Sequence, residues 1–336
     1  MIQKAIAQDY PHLNEKKIIS DISNIIKSSL ENDYGRRKKM KRRLHAKSHG
    51  LLEAELIVEK NLPPSLQFGI FKTPKTFKAL VRFSNGSPNV SDDYKKGVRG
   101  MSIKILNVDA PTLSLDHLGN TQDILLTNNK INFPGTVEMQ KKAIQVLFVS
   151  KLYFILILLS FKWRGLITFL RGQIQIANVL EQSYYSGTPY LFGEGQAIKW
   201  QAKHLKSSTS KMPENPIENF LRERLSKDLS ENEFYFDLCV QLQKDAQTEP
   251  IEDSAIEWLT PFIKVATIRI LQQNFNTTER KQNENHILFS PWHSIAAHRP
   301  LGGINRIRGE IYKEMALLRK KHNENIIRNK NHQIFK

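Results

Sequence analysis

Ala79-Leu-Val-Arg-Phe-Ser-Asn-Gly86 reads as a β-strand that runs into a turn. Asn-Gly is a strong turn dipeptide, because both residues tolerate positive φ at little cost. Met101-Ser-Ile-Lys-Ile-Leu106, directly after Gly100, reads as the next strand. Upstream, Ala54, Leu56 and Val58 alternate with Glu53, Glu55, Ile57 and Glu59, the period of a half-buried strand. Downstream, Ile124-Leu-Leu126 is a further apolar run. Short strands separated by Gly and Asn turns predict an antiparallel barrel or sandwich.

Working outward, the pattern turns helical at both ends. Ile18, Ile19, Ile22, Ile25 and Ile26 form one stripe near the start, so residues 1–40 read as a peripheral helical extension. Residues 136–185 read as helices. Strand signals return at Ala197–Trp200, Phe234–Gln241 and Phe262–Ile270. Ile304, Ile307, Ile311, Met315 and Leu318 stripe a last helix, entered through Pro300-Leu-Gly-Gly303. Residues 321–336 read as a polar, frayed tail. No internal repeat or long linker interrupts this order. The expectation is one α+β domain over 41–320, with a β-rich middle.

Composition narrows the chemistry. The one cysteine, Cys239, excludes an internal disulfide, a multi-thiolate zinc site and an iron–sulfur cluster. It points to a reducing compartment, and the opening residues lack a secretory pattern, so a cytoplasmic location is expected. The formal charge of +17 fits an anionic partner or simply a basic protein. The run Arg36-Arg-Lys-Lys-Met-Lys-Arg-Arg43 has no interleaved aromatics for base stacking, and no nucleic-acid fold signature accompanies it, so no nucleic-acid partner is expected. The apolar run Leu147–Phe161 is uninterrupted only from Leu152 to Leu159, too short to span a bilayer. It reads first as a buried helix and second as an interfacial helix in peripheral membrane contact.

Four short motifs carry the chemistry. They are Arg42-Arg-Leu-His45-Ala-Lys, Arg82-Phe-Ser84, Arg99-Gly-Met-Ser-Ile-Lys104 and Arg308-Gly-Glu-Ile-Tyr312. The last puts an Arg and a Tyr at i and i+4, on one helix face. A guanidinium beside a phenol favours the phenolate, a hard anionic oxygen suited to Fe(III). In order and content the four motifs resemble the catalase superfamily. His45-Ala-Lys is similar to its distal-His segment, Arg82-Phe-Ser84 to its Arg-Phe-Ser strand and Arg308–Tyr312 to its proximal haem-ligand helix.

The resemblance implies a catalase-like antiparallel β-barrel core with surrounding helices, with haem (iron protoporphyrin) as cofactor. Tyr312 would ligate the iron and Arg308 would keep its phenolate ionised. His45 would move a proton between the two oxygens of a peroxide. Ser84 would fix the imidazole through its other nitrogen. Arg82 and Arg42 would meet the haem propionates, with Arg43 adjacent to Arg42. The distal amide is read as Asn120, with Gln122, or Thr121 in a shifted register, as the alternatives. No role is assigned to His49, which reads as an exposed-loop residue.

This chain departs from the family in length, in the residues after Tyr312 (Lys-Glu-Met), and in carrying His293 and His298. Those departures resemble a shorter catalase-like branch whose distant relatives act on fatty-acid hydroperoxides. The implied function is a haem-dependent catalase or peroxidase acting on hydrogen peroxide or an organic hydroperoxide. The alternatives are a lipid-hydroperoxide enzyme at a membrane surface and a non-catalytic basic haem- or anion-binding protein. Oligomeric state and any nicotinamide site do not carry over.

Overall fold

The computed structural model describes residues 4–35, 38–114, 119–159, 163–205 and 209–334. Arg36 and Arg37 of the basic run, Leu118 two residues before Asn120, and Ser160–Lys162 at the end of the apolar run lie outside the described residues. The strands are β1 (Ser48–Val58), β2 (Thr76–Asn85), β3 (Arg99–Leu106), β4 (Thr121–Thr127), β5 (Tyr184–Tyr185), β6 (Tyr190–Leu191), β7 (Ala197–His204), β8 (Phe234–Leu242) and β9 (Phe262–Ile270). The helices are α1 (Glu15–Tyr34), α2 (Val137–Phe148), α3 (Tyr153–Leu158), α4 (Trp163–Arg171), α5 (Phe220–Glu231), α6 (Thr278–His286) and α7 (Gly303–Ile334).

The strands form one antiparallel sheet in the order β5-β4-β3-β2-β1-β9-β8-β7-β6, and β5 also pairs with β7. That second pairing closes eight strands into a barrel, as the alternation near Ala54 and the Asn85-Gly86 turn led us to expect. Alternate residues such as Leu52, Leu56, Val81, Phe83, Ile103, Phe236 and Ile268 are buried in the main core. Trp200 and Phe192 pack edge-on there, with ring centroids 6.0 Å apart.

A second core lies outside the barrel. The α1 stripe Ile18, Ile22 and Ile26 meets Val137 and Ile144 of α2 and Ile304, Ile307, Ile311 and Met315 of α7. A charged knot fixes the start of α7: Arg306 bonds Asp9, Glu15 and Glu252 at 2.5–2.8 Å. The shared core and this knot tie α1 to the helix that carries Tyr312.

Two expectations are corrected. Helix α7 spans Gly303–Ile334 and so continues past Lys320, where Asn323 bonds both backbone groups of Met40 and His322 meets the Lys38 carbonyl. The apolar run is not a buried helix either. It begins in the last residues of α2 and continues through α3, and Leu152, Phe154, Ile155 and Leu159 are exposed.

Candidate active site

The site begins where three strands come level. Ser84 near the end of β2 faces Gly100 near the start of β3, and Gly100 faces Thr127 at the end of β4. Ser48, the first residue of β1, also pairs with Ser84. His45 lies just ahead of β1 and folds back onto this rim. Its Nδ1 stands 3.0 Å from Ser84 Oγ. A Cβ on Gly100 would come within 2.5 Å of His45 Nδ1 and Cε1, so glycine is what makes room for the ring.

The His45 backbone sits in the left-handed region, with φ at 55°. For a residue other than glycine that costs about 1–3 kcal/mol and needs support. Arg82 supplies it: Nη2 donates to the His45 carbonyl at 2.9 Å. Arg82 and Ser84 are two apart on one strand and share a face, which is why both reach His45.

Arginines set the field. Burial first, then Arg82, Arg308 and Arg42, bring the His45 imidazole down to about 3, so it is neutral at pH 7. Burial, Arg82 and Arg319 bring the Arg42 guanidinium down to about 9. Burial also lowers Arg319, and Arg82 adds to it. Three guanidiniums, of Arg82, Arg308 and Arg42, thus act on His45, and Arg319 stands near Arg42 and Arg82. Glu284 of α6 lies among them, with Oε1 3.2 Å from Arg82 Nε in a buried ion pair. Its carbonyl and that of Ile287 accept from Arg42 Nη2.

On α7, Arg308 and Tyr312 fall on one face as their spacing predicts. Arg308 Nη1 donates to Thr188 Oγ1 at 3.2 Å and lies 3.4 Å from Asn305 Oδ1. Asn305 is itself locked, donating to the Pro189 and Leu301 carbonyls at 2.8 and 3.0 Å. Tyr312 is half-buried beside this cluster. The buried phenol of Tyr190 is raised to about 12 by burial, against the opposing charge of Arg308 and with a further push from Tyr312.

His45, Ser84, Arg82, Arg42 and Arg308 are therefore brought together, with Tyr312 one turn beyond Arg308. Asn120 is not among them. It is exposed and precedes Thr121, which pairs with Leu106 at the opposite end of β3 from Gly100. At ~3.3 Å per residue, the length of β4 separates that end from the His45 rim by ~20 Å. Nor does Gln122 serve: it is buried, accepting from Ser294 Oγ and Ile295 N at 3.1 Å.

The other histidines have structural surroundings. His49 is fully buried, contrary to expectation, with Nε2 2.9 Å from Asn85 Oδ1 and Nδ1 3.7 Å from Asp93. Asp93 also pairs with Lys47 at 2.8 Å, so this network pins the β2–β3 loop behind Ser84. His293 joins the buried Lys104–Asp123 pair, 3.0 Å from Asp123. His298 stacks on Phe192 with centroids 5.3 Å apart. Sequence reasoning missed Glu284, Thr188, Tyr190, Asn305 and Arg319. Arg319 had a readable signal, since it lies two helical turns beyond Tyr312.

No family model and no curated protein matches the sequence. Solved structures do match. A fungal catalase aligns at 17% identity and TM-score 0.57 over 92% of this chain and 64% of its own. A bacterial catalase aligns at 17% identity and TM-score 0.62 over 92% and 61%. Catalase A from Saccharomyces cerevisiae aligns at 17% identity and TM-score 0.58 over 93% and 65%. The chain has a catalase-like fold and spans less than two thirds of the length of these catalases.

Proposed function

We propose that this chain binds haem through Tyr312 and processes peroxides, either hydrogen peroxide or an organic hydroperoxide, with His45 as the proton carrier. The observation that carries this reading is a neutral imidazole, bonded to Ser84 over Gly100, on a rim ringed by arginines. The catalase-like fold supports it at the level of architecture.

The donor set fits haem. A cluster of Arg42, Arg82 and Arg319 holding one buried carboxylate, Glu284, has cationic charge left to meet two propionates. Tyr312 would offer a phenol oxygen to iron, with Arg308 one turn away on the same face of α7. Bound there, haem would supply the ferric iron that accepts a peroxide oxygen and the electrons that break the O–O bond.

The protein's own part is proton transfer and orientation. With Nδ1 bonded to Ser84, His45 presents Nε2 to the substrate. The neutral ring takes the proton from one peroxide oxygen and returns it to the other, so it ends as it began. Ser84 and Gly100 keep the ring from turning away while it does so. The arginines that depress His45 are those assigned to the propionates. Neutralising them would raise the His45 pKa toward the working range of a proton carrier.

Haem titration of the parent, Tyr312→Phe and His45→Gln tests the reading. The parent should gain a Soret band and consume peroxide. Tyr312→Phe should lose the ferric tyrosinate spectrum. His45→Gln should keep it and react about a hundredfold more slowly. A Tyr312→Phe spectrum identical to the parent's would refute the ligand assignment. Unchanged rates in His45→Gln would remove the proton carrier.

A further inference from the structure

Between Glu138 and Glu181 the sequence has no acidic residue, while Lys142, Lys151, Arg164 and Arg171 fall there, as does Lys141, which pairs with Asp21 of α1 at 2.6 Å. The same stretch holds a dense group of exposed large apolar side chains. Leu147 and Val149 flank the end of α2, and Leu152, Phe154, Ile155 and Leu159 surround α3. Leu152 is 74% exposed and Leu159 61%. Helix α4 is apolar on two faces. Leu166 is buried and Phe169 stacks on Phe133 at 5.7 Å, while Trp163, Ile167 and Leu170 point outward. These three are spaced i, i+4 and i+7, one stripe of a helix. Such a stripe gains no burial free energy until something covers it, and exposed apolar side chains grouped in this way mark an interaction surface.

We propose that α3 and α4 form a docking surface for an anionic lipid bilayer, with the apolar stripe in the headgroup–acyl boundary and the cations at its edge. Charge selects this occupant. A second copy of the chain, meeting patch to patch, would set like charges against each other, whereas acidic headgroups complement them. Among the described residues no helix is long and apolar enough to cross a membrane, so these helices would lie in the interface. Their mounting gives the docked protein an orientation. Asn129 Nδ2 donates to the Phe169 carbonyl at 3.2 Å, Asn128 Nδ2 to that of Gly172 at 3.4 Å, and Gly97 bridges to Ile174. Helix α4 is therefore tethered beside the ends of β3 and β4 that carry Gly100 and Thr127. Docking of this kind does not depend on whether the chain acts on peroxides.

Vesicle sedimentation of the full chain decides it, using phosphatidylcholine alone or mixed with phosphatidylglycerol. Binding should be about tenfold tighter with phosphatidylglycerol and weaken at high salt. Trp163 fluorescence should be quenched by brominated acyl chains and the quenching lost in Trp163→Phe. Ile167→Glu and Arg164→Glu, both at exposed positions, should each weaken binding about tenfold with unchanged near-UV circular dichroism. Absence of binding to the mixed vesicles overturns the proposal, as does binding that neither substitution alters. A dimer that Ile167→Glu dissociates, with no vesicle binding, would assign the patch to a second copy instead.

Discussion

Gly100 lies directly beneath the imidazole of His45, with the space for one Cβ already filled by the ring at 2.5 Å. The strand residue and the histidine are thus mutually exclusive in size. Gly100→Ala should push the ring off Ser84 while leaving the arginines and Tyr312 in place. Peroxide consumption should fall about tenfold to a hundredfold with haem uptake retained. Equal loss of haem uptake would mean that Gly100 supports the barrel rather than the ring.

Acid should destabilise the fold through its histidines. Burial lowers His49 to about 4 and His298 to about 3, and both are fully buried. The folded state keeps them neutral, whereas the unfolded chain takes up their protons below pH ~6.5. Their contribution is complete above pH ~6.5 and is lost as pH falls toward their folded values. Each costs about 1.4 kcal/mol per pH unit across that window. These two should therefore take on the order of 3–4 kcal/mol from the urea-unfolding stability between pH 7 and pH 5. His49→Gln should shrink that loss; an unchanged loss would show that His49 is not the neutral buried group described.

Glu284 is the acid that the arginine cluster cannot spare without another anion. Glu284→Ala leaves Arg82 buried without its carboxylate and should cost about 3 kcal/mol. Added haem should narrow the gap to the parent, since propionates would meet the same guanidinium. Urea midpoints with and without haem measure this, and a gap that haem leaves untouched would separate Glu284 from the cofactor region.

Gly309 sits inside α7, where alanine ordinarily stabilises by up to ~1 kcal/mol. Here a Cβ would stand 2.6 Å from Trp292 Nε1, which donates to the Asn305 carbonyl at 2.7 Å. Gly309→Ala should lower the melting temperature by several degrees, about 1–2 kcal/mol. A higher melting temperature would show that the indole has room to move.

What could be read from the sequence was whatever repeats locally. The alternation in β1, the Asn85-Gly86 turn and the α7 stripe are local patterns, and each marks a real element. The two-residue strands β5 and β6 are too short to show a period, yet β5 closes the barrel. In α5, the buried Phe220, Leu221, Leu225 and Leu229 do carry helical spacing and could have been read. Glu284 could not, since 202 residues separate it from Arg82 and no local rule links them. The Leu152–Leu159 run looked like core because hydropathy does not say which side chains find a partner. The motif around His45 placed that residue against Ser84, but the same reasoning misplaced Asn120, because a motif match does not fix strand register.

The seam between the first and last strands in chain order pairs Ala54 of β1 with Ile270 of β9. A ribosome adding about 5–20 residues per second needs roughly 10–40 s between the two. Through that interval β1 can zip to β2 but keeps its other edge bare. Those unpaired amides and carbonyls form a template on which a neighbouring nascent chain can add a strand. The hazard in making this protein thus lies in its birth, before the seam exists, and crowding on a polysome or overexpression should expose it sooner than heating the finished molecule.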